Sequence, residues 1–300
     1  MKRRFQTLDV FTETALAGNP LAVVLDAEGL EDARMQAIAA EFNLSETVFV
    51  FEPRNAVNSA RVRIFTPKRE LPFAGHPTVG AAALIAQQRA GDLLAAQDLR
   101  IVLEEPIGDV VCVARKRKGQ KLASYFELPK LPERLDVEPP STAEIASGLG
   151  LEAADIGFDA HEPAVYSAGA PFLFIPIRSL AAIGRAAPAV MPWATKDGPA
   201  SFLYTRETAR EGSAYHARMF ASAWGVVEDP ATGAAAAAFA GVVQAFDRPR
   251  DGERMLTLEQ GFEMGRPSLI ALGLVVEGGA VTSATIGGSV VTVASGALDL

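Results

Sequence analysis

The sequence is poor in the residues that build most compact catalytic and structural centres. One cysteine among 300 residues excludes a disulfide framework, a cysteine-based zinc cluster and any mechanism that needs two thiols. Three histidines, His76, His161 and His216, leave little for a histidine-rich metal site. Positive charge is in deficit: 28 Lys and Arg against 36 Asp and Glu give a net charge of −8. That balance grips polyphosphate poorly, so no nucleic acid is expected as a partner. No apolar run reaches the ~18 residues of a membrane span. The opening Met1-Lys2-Arg3-Arg4-Phe5-Gln6-Thr7 is basic, but strand-like alternation follows it instead of an apolar signal core. These absences lead us to expect a soluble, cytoplasmic protein with no membrane association.

What is present is a folding composition, 49% hydrophobic and 21% charged, in a chain long enough for two ordinary domains. Phe5, Leu8 and Val10 alternate with polar residues, and Gly18-Asn19-Pro20 turns into the apolar run 21–25. Met35, Ile38, Ala39 and Phe42 fall at the spacing of an amphipathic helix over 31–42, with Asn43 as its stop. Strands are expected at 47–51, 60–65, 100–104 and 109–114. Between them the uncharged run 77–86 predicts a helix buried on all sides. Arg115-Lys116-Arg117-Lys118 reads as a solvated hairpin turn and a domain boundary.

The second half repeats the plan. Ser141-Thr142-Ala143-Glu144 has the pattern of a capping box opening a helix to about 148. Strands follow near 164–167 and 172–177, then a helical stretch within 179–195, then paired strands at 201–205 and 215–220. A second uncharged helix spans 233–243. Strands near 254–258 and 268–276 come next, and 287–293 forms a last strand with a glycine bulge. Each half therefore reads helix, strand, strand, polar turn, buried Ala-rich helix, strand, strand. We expect an internal duplication, with an N-terminal domain of residues 1–117 plus 286–300 and a C-terminal domain of residues 118–285. The fold class is α+β, each domain wrapping strands around a central helix.

The turns His76-Pro77-Thr78 and Asp229-Pro230-Ala231-Thr232 stand at the start of the two buried helices. A helix start carries unpaired N–H groups and about half a positive charge. Buried, those donors need a partner: an anion such as a substrate carboxylate shared by the two halves, or internal caps from His76, Thr78, Asp229 and Thr232. Glu46 enters an apolar strand, where burial would tune it for acid–base work, unless it is an ordinary loop carboxylate. His76 and Asp229 occupy matching places and suit an orienting or acid–base pair, or simple caps. As metal ligands they lack a third partner at credible spacing, so no metal is expected. Cys112 reads as a strand core residue, not a nucleophile. Gly261-Phe262-Glu263-Met264-Gly265-Arg266-Pro267-Ser268 reads as a turn, with Arg266 or Ser268 contacting an anion as the alternative. No nucleotide-binding fingerprint or serine-nucleophile elbow is present.

Taken together, Asn43-Leu44-Ser45-Glu46-Thr47, Phe73-Ala74-Gly75-His76-Pro77-Thr78-Val79-Gly80, Glu228-Asp229-Pro230-Ala231-Thr232-Gly233 and the Gly261–Ser268 segment resemble the PhzF-like phenazine-biosynthesis family, in its order and at its spacing. The likeness runs from about residue 5 to 293. The resemblance implies the diaminopimelate-epimerase-like fold: two pseudo-symmetric domains, each a barrel-like, mostly antiparallel sheet around a central buried helix. It also implies that Glu46 moves a proton from one carbon to another, and that Gly75, His76 and Asp229 hold and polarise the substrate. Thr78, Thr232, Gly233 and Ala234 would complete its binding at the helix starts.

The activity implied is isomerisation of trans-2,3-dihydro-3-hydroxyanthranilate or a related small carboxylate bound between the domains, without a cofactor, in a homodimer. Phenazine isomerases of this family carry a serine directly after the Asp-Pro-Ala-Thr-Gly segment, where this chain has Ala234. The lost hydroxyl removes one hydrogen bond to substrate, ~1–3 kcal/mol if a polar group is left unpaired. The alternatives are an inactive relative that binds a small acid or a partner, and an epimerase acting through carboxylates.

Overall fold

Runs of period two and period 3.6 alternate along the chain, and the computed structural model, which describes residues 2–188 and 191–300, gathers them into two compact units. Met1–Glu127 with Gly287–Leu300 form the first, and Leu128–Ile286 the second.

The first unit contains β1 (Lys2–Val10), β2 (Asn19–Val24), α1 (Asp32–Phe42), β3 (Glu46–Phe51), β4 (Ala60–Phe65), β5 (Glu70–Leu71), α2 (Gly75–Leu94), β6 (Leu99–Glu105), β7 (Gly108–Arg115) and β8 (Ala123–Glu127). The later part of the last strand of the chain, which spans Ala280–Asp299, also belongs to it. β2 runs parallel to β3 across the α1 crossover, and β4 parallel to β6 across α2; the neighbouring pairs are antiparallel. Followed along its hydrogen bonds, the sheet passes from the last strand to β1, β2, β3, β4, β6, β7 and β8 and back to the last strand. It is a closed barrel, which leaves no free edge.

α2 touches β1, β2, β3, β6, β7 and β8, so it runs through the inside of this barrel. Its residues from Gly75 to Ala86 are all buried. A helix with ordinary side chains is about 10–12 Å across; Ala and Gly thin it to fit. Gly80 marks the tightest point: a Cβ there would stand 2.5 Å from Leu21 Cδ2 and 2.9 Å from Val10 Cγ2. α1 lies on the outer face, where Met35, Ile38 and Ala39 cover Val24, Phe49, Phe51 and Phe65. It ends at Asn43, whose left-handed backbone (φ 51°) returns an N–H to the Ala39 carbonyl and delivers the chain to β3.

The second unit holds β9 (Glu133–Arg134), α3 (Thr142–Leu149), β10 (Ala164–Ser167), β11 (Pro171–Pro176), α4 (Leu180–Arg185), β12 (Ala200–Thr205), β13 (Tyr215–Ala221), β14 (Val226–Asp229), α5 (Gly233–Val242), β15 (Gly252–Gln260), β16 (Ser268–Glu277) and the first part of β17 (Ala280–Asp299). Its connectivity copies the first unit. β11 is parallel to β12 across α4, β13 is parallel to β15 across α5, and antiparallel pairs join β10 to β11, β12 to β13, β13 to β14 and β15 to β16. α5 packs on β9, β10, β11 and β16. Gly241 gives it the same kind of close approach, since a Cβ there would lie 2.6 Å from Tyr166 Cδ1.

Several elements differ from expectation. The first unit continues past residue 117 to Glu127, because β8 pairs with β7 and with β17 and is needed to close the barrel. The basic stretch 115–118 lies, as expected, at the hairpin connection between the antiparallel β7 and β8, but inside the first unit and not at its boundary. α2 begins at Gly75 and runs on to Leu94 through a kink at Ala90. The helix expected within 179–195 is found there as Leu180–Arg185, and residues 189–190 of that stretch lie outside the described residues. The irregularity of the last strand is not at a glycine: Thr7 faces Ala294 and Leu8 faces Thr292, so Val293 is the extra residue. Gly287 instead makes room for Tyr125, whose Cδ1 would lie 2.2 Å from a Cβ there.

The packing at Gly80 is testable against a neutral control. Gly80→Ala forces a methyl into Leu21 and Val10 and is expected to cost about 1–3 kcal/mol. Gly184→Ala, in the exposed turn of α4 with nothing near its Cβ, is expected to stabilise by roughly 0.5–1 kcal/mol. Denaturant unfolding of the two variants checks both signs.

Candidate functional site

In the first unit, the parallel register of β2 and β3 sets Leu21 beside Glu46. This brings the entry of β2, the entry of β3 and the start of α2 together. Glu46 Oε2 lies 3.4 Å from His76 Nε2, with the two side chains 17% and 7% exposed. The His76 ring hydrogen-bonds the Pro20 carbonyl, while burial pushes its pKa down to about 3. It is therefore neutral and owns one N–H. A carbonyl only accepts, so that proton is committed to Pro20. Nε2 makes no hydrogen bond of its own and presents a lone pair toward Glu46.

The start of α2 has no side-chain cap: Ala74 precedes it with extended backbone, and the first helical bond runs from the Thr78 N–H to the Ala74 carbonyl. Pro77 has no N–H, which leaves the Gly75 and His76 amides as the open donors of this turn. The Thr78 hydroxyl turns back to the Ala74 carbonyl and also meets Glu105. It does not cap the helix.

In the second unit, Asp229 ends β14 and α5 begins at Gly233, again without a side-chain cap. The internal caps weighed from the sequence are thus not made at either start. Asp229 Oδ2 accepts the Thr232 hydroxyl at 2.6 Å. Gln260 holds the same turn from β15: its Oε1 accepts the Thr232 N–H, and its Nε2 donates to the Asp229 carbonyl and the Thr232 hydroxyl. The first bond within the helix is Ala236 N–H to the Thr232 carbonyl. The amides of Gly233, Ala234 and Ala235 therefore point out of the helix without a helical partner. Within α5 only Ala234 is not buried, so its methyl stands where solvent or a ligand reaches the helix start. Two uncapped starts with the dipole behind them favour an anion at each.

The loop after β15 supports this turn. Gly261 has φ +77° and comes so close to Pro230 that a Cβ would sit 2.6 Å from its carbonyl oxygen; only glycine fits there. Arg266 N–H bonds the Gly261 carbonyl and Ser268 Oγ the Arg266 carbonyl, so the segment is a turn. Beside it, His216 is clamped between Glu259 and Glu263 at 2.8 Å each. These carboxylates outweigh burial and raise its pKa to about 9. The remaining histidine, His161, joins Tyr204 and Asp247 in a hydrogen-bonded network. Cys112 is fully buried in β7, and burial pushes its thiol far up. Among the described residues no cluster of three or more His, Cys, Asp or Glu side chains is arranged to hold a metal, and no helix is long and apolar enough to cross a membrane.

Sequence reasoning missed Gln260, Glu105 and the Pro20 carbonyl. Gln260 and Glu259 are both fully buried at the inner end of β15, whose first half is exposed. Two adjacent polar residues there, one on each face of the strand, are the signal that marks them. Nothing in the sequence distinguishes the Pro20 carbonyl.

Comparison with known proteins agrees with this architecture. The family model described as phenazine biosynthesis-like protein matches residues 8–296. The chain is similar to an uncharacterized isomerase of Mesorhizobium japonicum, 49% identical over 99% of this chain and 98% of that one. It is 36% identical to the trans-2,3-dihydro-3-hydroxyanthranilate isomerase of Pseudomonas aeruginosa over 88% of each chain. The crystal structure of a PhzF-family phenazine biosynthesis protein from Bacillus anthracis superimposes with a TM-score of 0.87, at 26% identity and full coverage of both chains.

The environments of His76 and His216 predict opposite titrations. In a histidine NMR titration, the His76 signal is expected to stay at its neutral position from pH 7 down to pH 4, and His216 to stay charged until about pH 9. Because the folded pKa of His216 is raised, the stability it contributes is complete below the ordinary histidine pKa of about 6.5 and is lost as pH rises through about 9. His216→Gln should therefore cost more stability at pH 6 than at pH 10, read by thermal unfolding.

Proposed function

Because the chain belongs to the phenazine biosynthesis-like family of isomerases, we propose that it isomerises a small carboxylate by moving a proton with Glu46. The observation that carries this reading is the pairing of Glu46 with a neutral His76 at the uncapped start of α2. The open amides of Gly75 and His76, and those of Gly233 and Ala234, hold the anionic groups of the substrate. Asp229, braced by Thr232 and Gln260, orients it, with Thr78 and Thr232 shaping the two turns.

In the step itself the Glu46 carboxylate takes a proton from one carbon, and the electron pair left behind spreads into the conjugated substrate. The preorganised N–H groups meet that charge as it develops. The new carboxylic acid of Glu46 donates to His76 Nε2, which carries no proton. It then returns its proton to a different carbon. Nothing is consumed, and the atoms of substrate and product are the same. Activity without a cofactor, in a cytoplasmic homodimer, completes the proposal.

Ala234 carries the competing reading, a relative that binds a small acid without turning it over. Incubation with trans-2,3-dihydro-3-hydroxyanthranilate and a panel of cyclic and hydroxy acids in D₂O separates the two. We expect deuterium to enter the product and Glu46→Gln to slow this by about 10²–10⁴-fold. Undiminished exchange in that variant removes Glu46 from the mechanism, and binding without exchange across the panel favours the competing reading. Ala234→Ser, which restores a hydroxyl at the exposed position of the α5 start, is expected to lower KM for trans-2,3-dihydro-3-hydroxyanthranilate roughly tenfold.

A further inference from the structure

Glu105 ends β6, is 6% exposed, and approaches the start of α2 from the barrel wall. Its Oε1 is 2.7 Å from Thr78 Oγ1, while its Oε2 meets no hydrogen-bonding partner. Thr78 Oγ1 is also 2.8 Å from the Ala74 carbonyl. A hydroxyl owns one proton and a carbonyl only accepts. Both contacts are hydrogen bonds at once only if Thr78 donates to Ala74 and Glu105 donates to Thr78, which makes Glu105 a carboxylic acid.

Its surroundings favour the same state. Burial pushes its pKa up to about 8, and no cation among the described residues acts on it. The groups that face it are the Thr78 hydroxyl from α2 and the Cys112 thiol from β7, itself pushed up by burial and by the Glu105 charge.

We propose that Glu105 is a positioning residue: as a neutral acid it donates to Thr78, Thr78 donates to Ala74, and this relay braces the first turn of α2 so that the Gly75 and His76 amides and the His76 ring keep their aim. Ionisation undoes the brace. The Thr78 proton swings to the new carboxylate, the Ala74 carbonyl loses its second donor, and a buried negative charge appears beside the turn that receives the substrate anion. The proposal rests on reading that turn as the proton-transfer site, but its test needs no substrate.

Infrared difference spectra of the wild type minus Glu105→Gln are expected to contain the carbonyl stretch of a buried carboxylic acid at pH 6, fading as pH passes about 8. In the same range the NMR signal of His76, assigned by its loss in His76→Gln, should shift in the wild type. It should not shift in Glu105→Gln, which keeps a donor at every pH, nor in Thr78→Val, which breaks the relay. Stability gives a third readout. Because the folded pKa is raised, the contribution of Glu105 is complete below about 4.5 and lost as pH rises to about 8, so that slope should be missing from the thermal unfolding of Glu105→Gln. Absence of the acid band at pH 6 overturns the protonation state. A His76 shift that is the same in Glu105→Gln as in the wild type overturns the positioning role, whatever becomes of Glu46 in the exchange experiment.

Discussion

A helix threaded through a closed barrel has nowhere to hide its first turn. In both units the side chains that would normally cap its donors are engaged elsewhere. Thr78 turns back to the Ala74 carbonyl, Thr232 is bound to Asp229, and Gln260 takes the Thr232 amide. The open amides are a cost to folding that an anion removes on binding. Much of the rest of the chain serves that arrangement: small side chains thin the helices, glycines at 80 and 241 let them pass the wall, and polar strand ends brace the turns from behind.

The two units solve the same problem with different chemistry. The first places a neutral imidazole and a carboxylate at its turn, which suits proton exchange. The second places a carboxylate locked by a hydroxyl and an amide, which suits holding a polar group still. An internal duplication thus supplies two uncapped helix starts, and the two differ in the side chains that stand beside them.

Much of this was legible in the sequence. The uncharged Ala-rich runs announced helices buried on all sides, the repeat of element order announced the duplication, and Glu46, His76 and Asp229 stood out as polar residues at the edges of apolar segments. Other features were not legible, for physical reasons. The extent of the first unit depends on β8 pairing with a strand more than 150 residues away, which no local pattern encodes. The bulge at Val293 arises from register against β1, not from a flexible residue of its own. Glu105 looked like one of two acidic residues before a hairpin turn; its burial follows from the strand phase at the barrel wall, where Glu104 faces out and Glu105 faces in.

β17 belongs to both units, its early residues to the second and its later ones to the first. The duplication is therefore interlocked along the chain and not a pair of beads. During synthesis the first barrel lacks its closing stave until the whole second unit has been made. At about 5–20 residues per second that is a delay on the order of ten to thirty seconds. Through that interval β1 and β8 present open edges to the cell, so the nascent chain depends on the speed of elongation, and on whatever shields those edges, in a way that the finished protein does not.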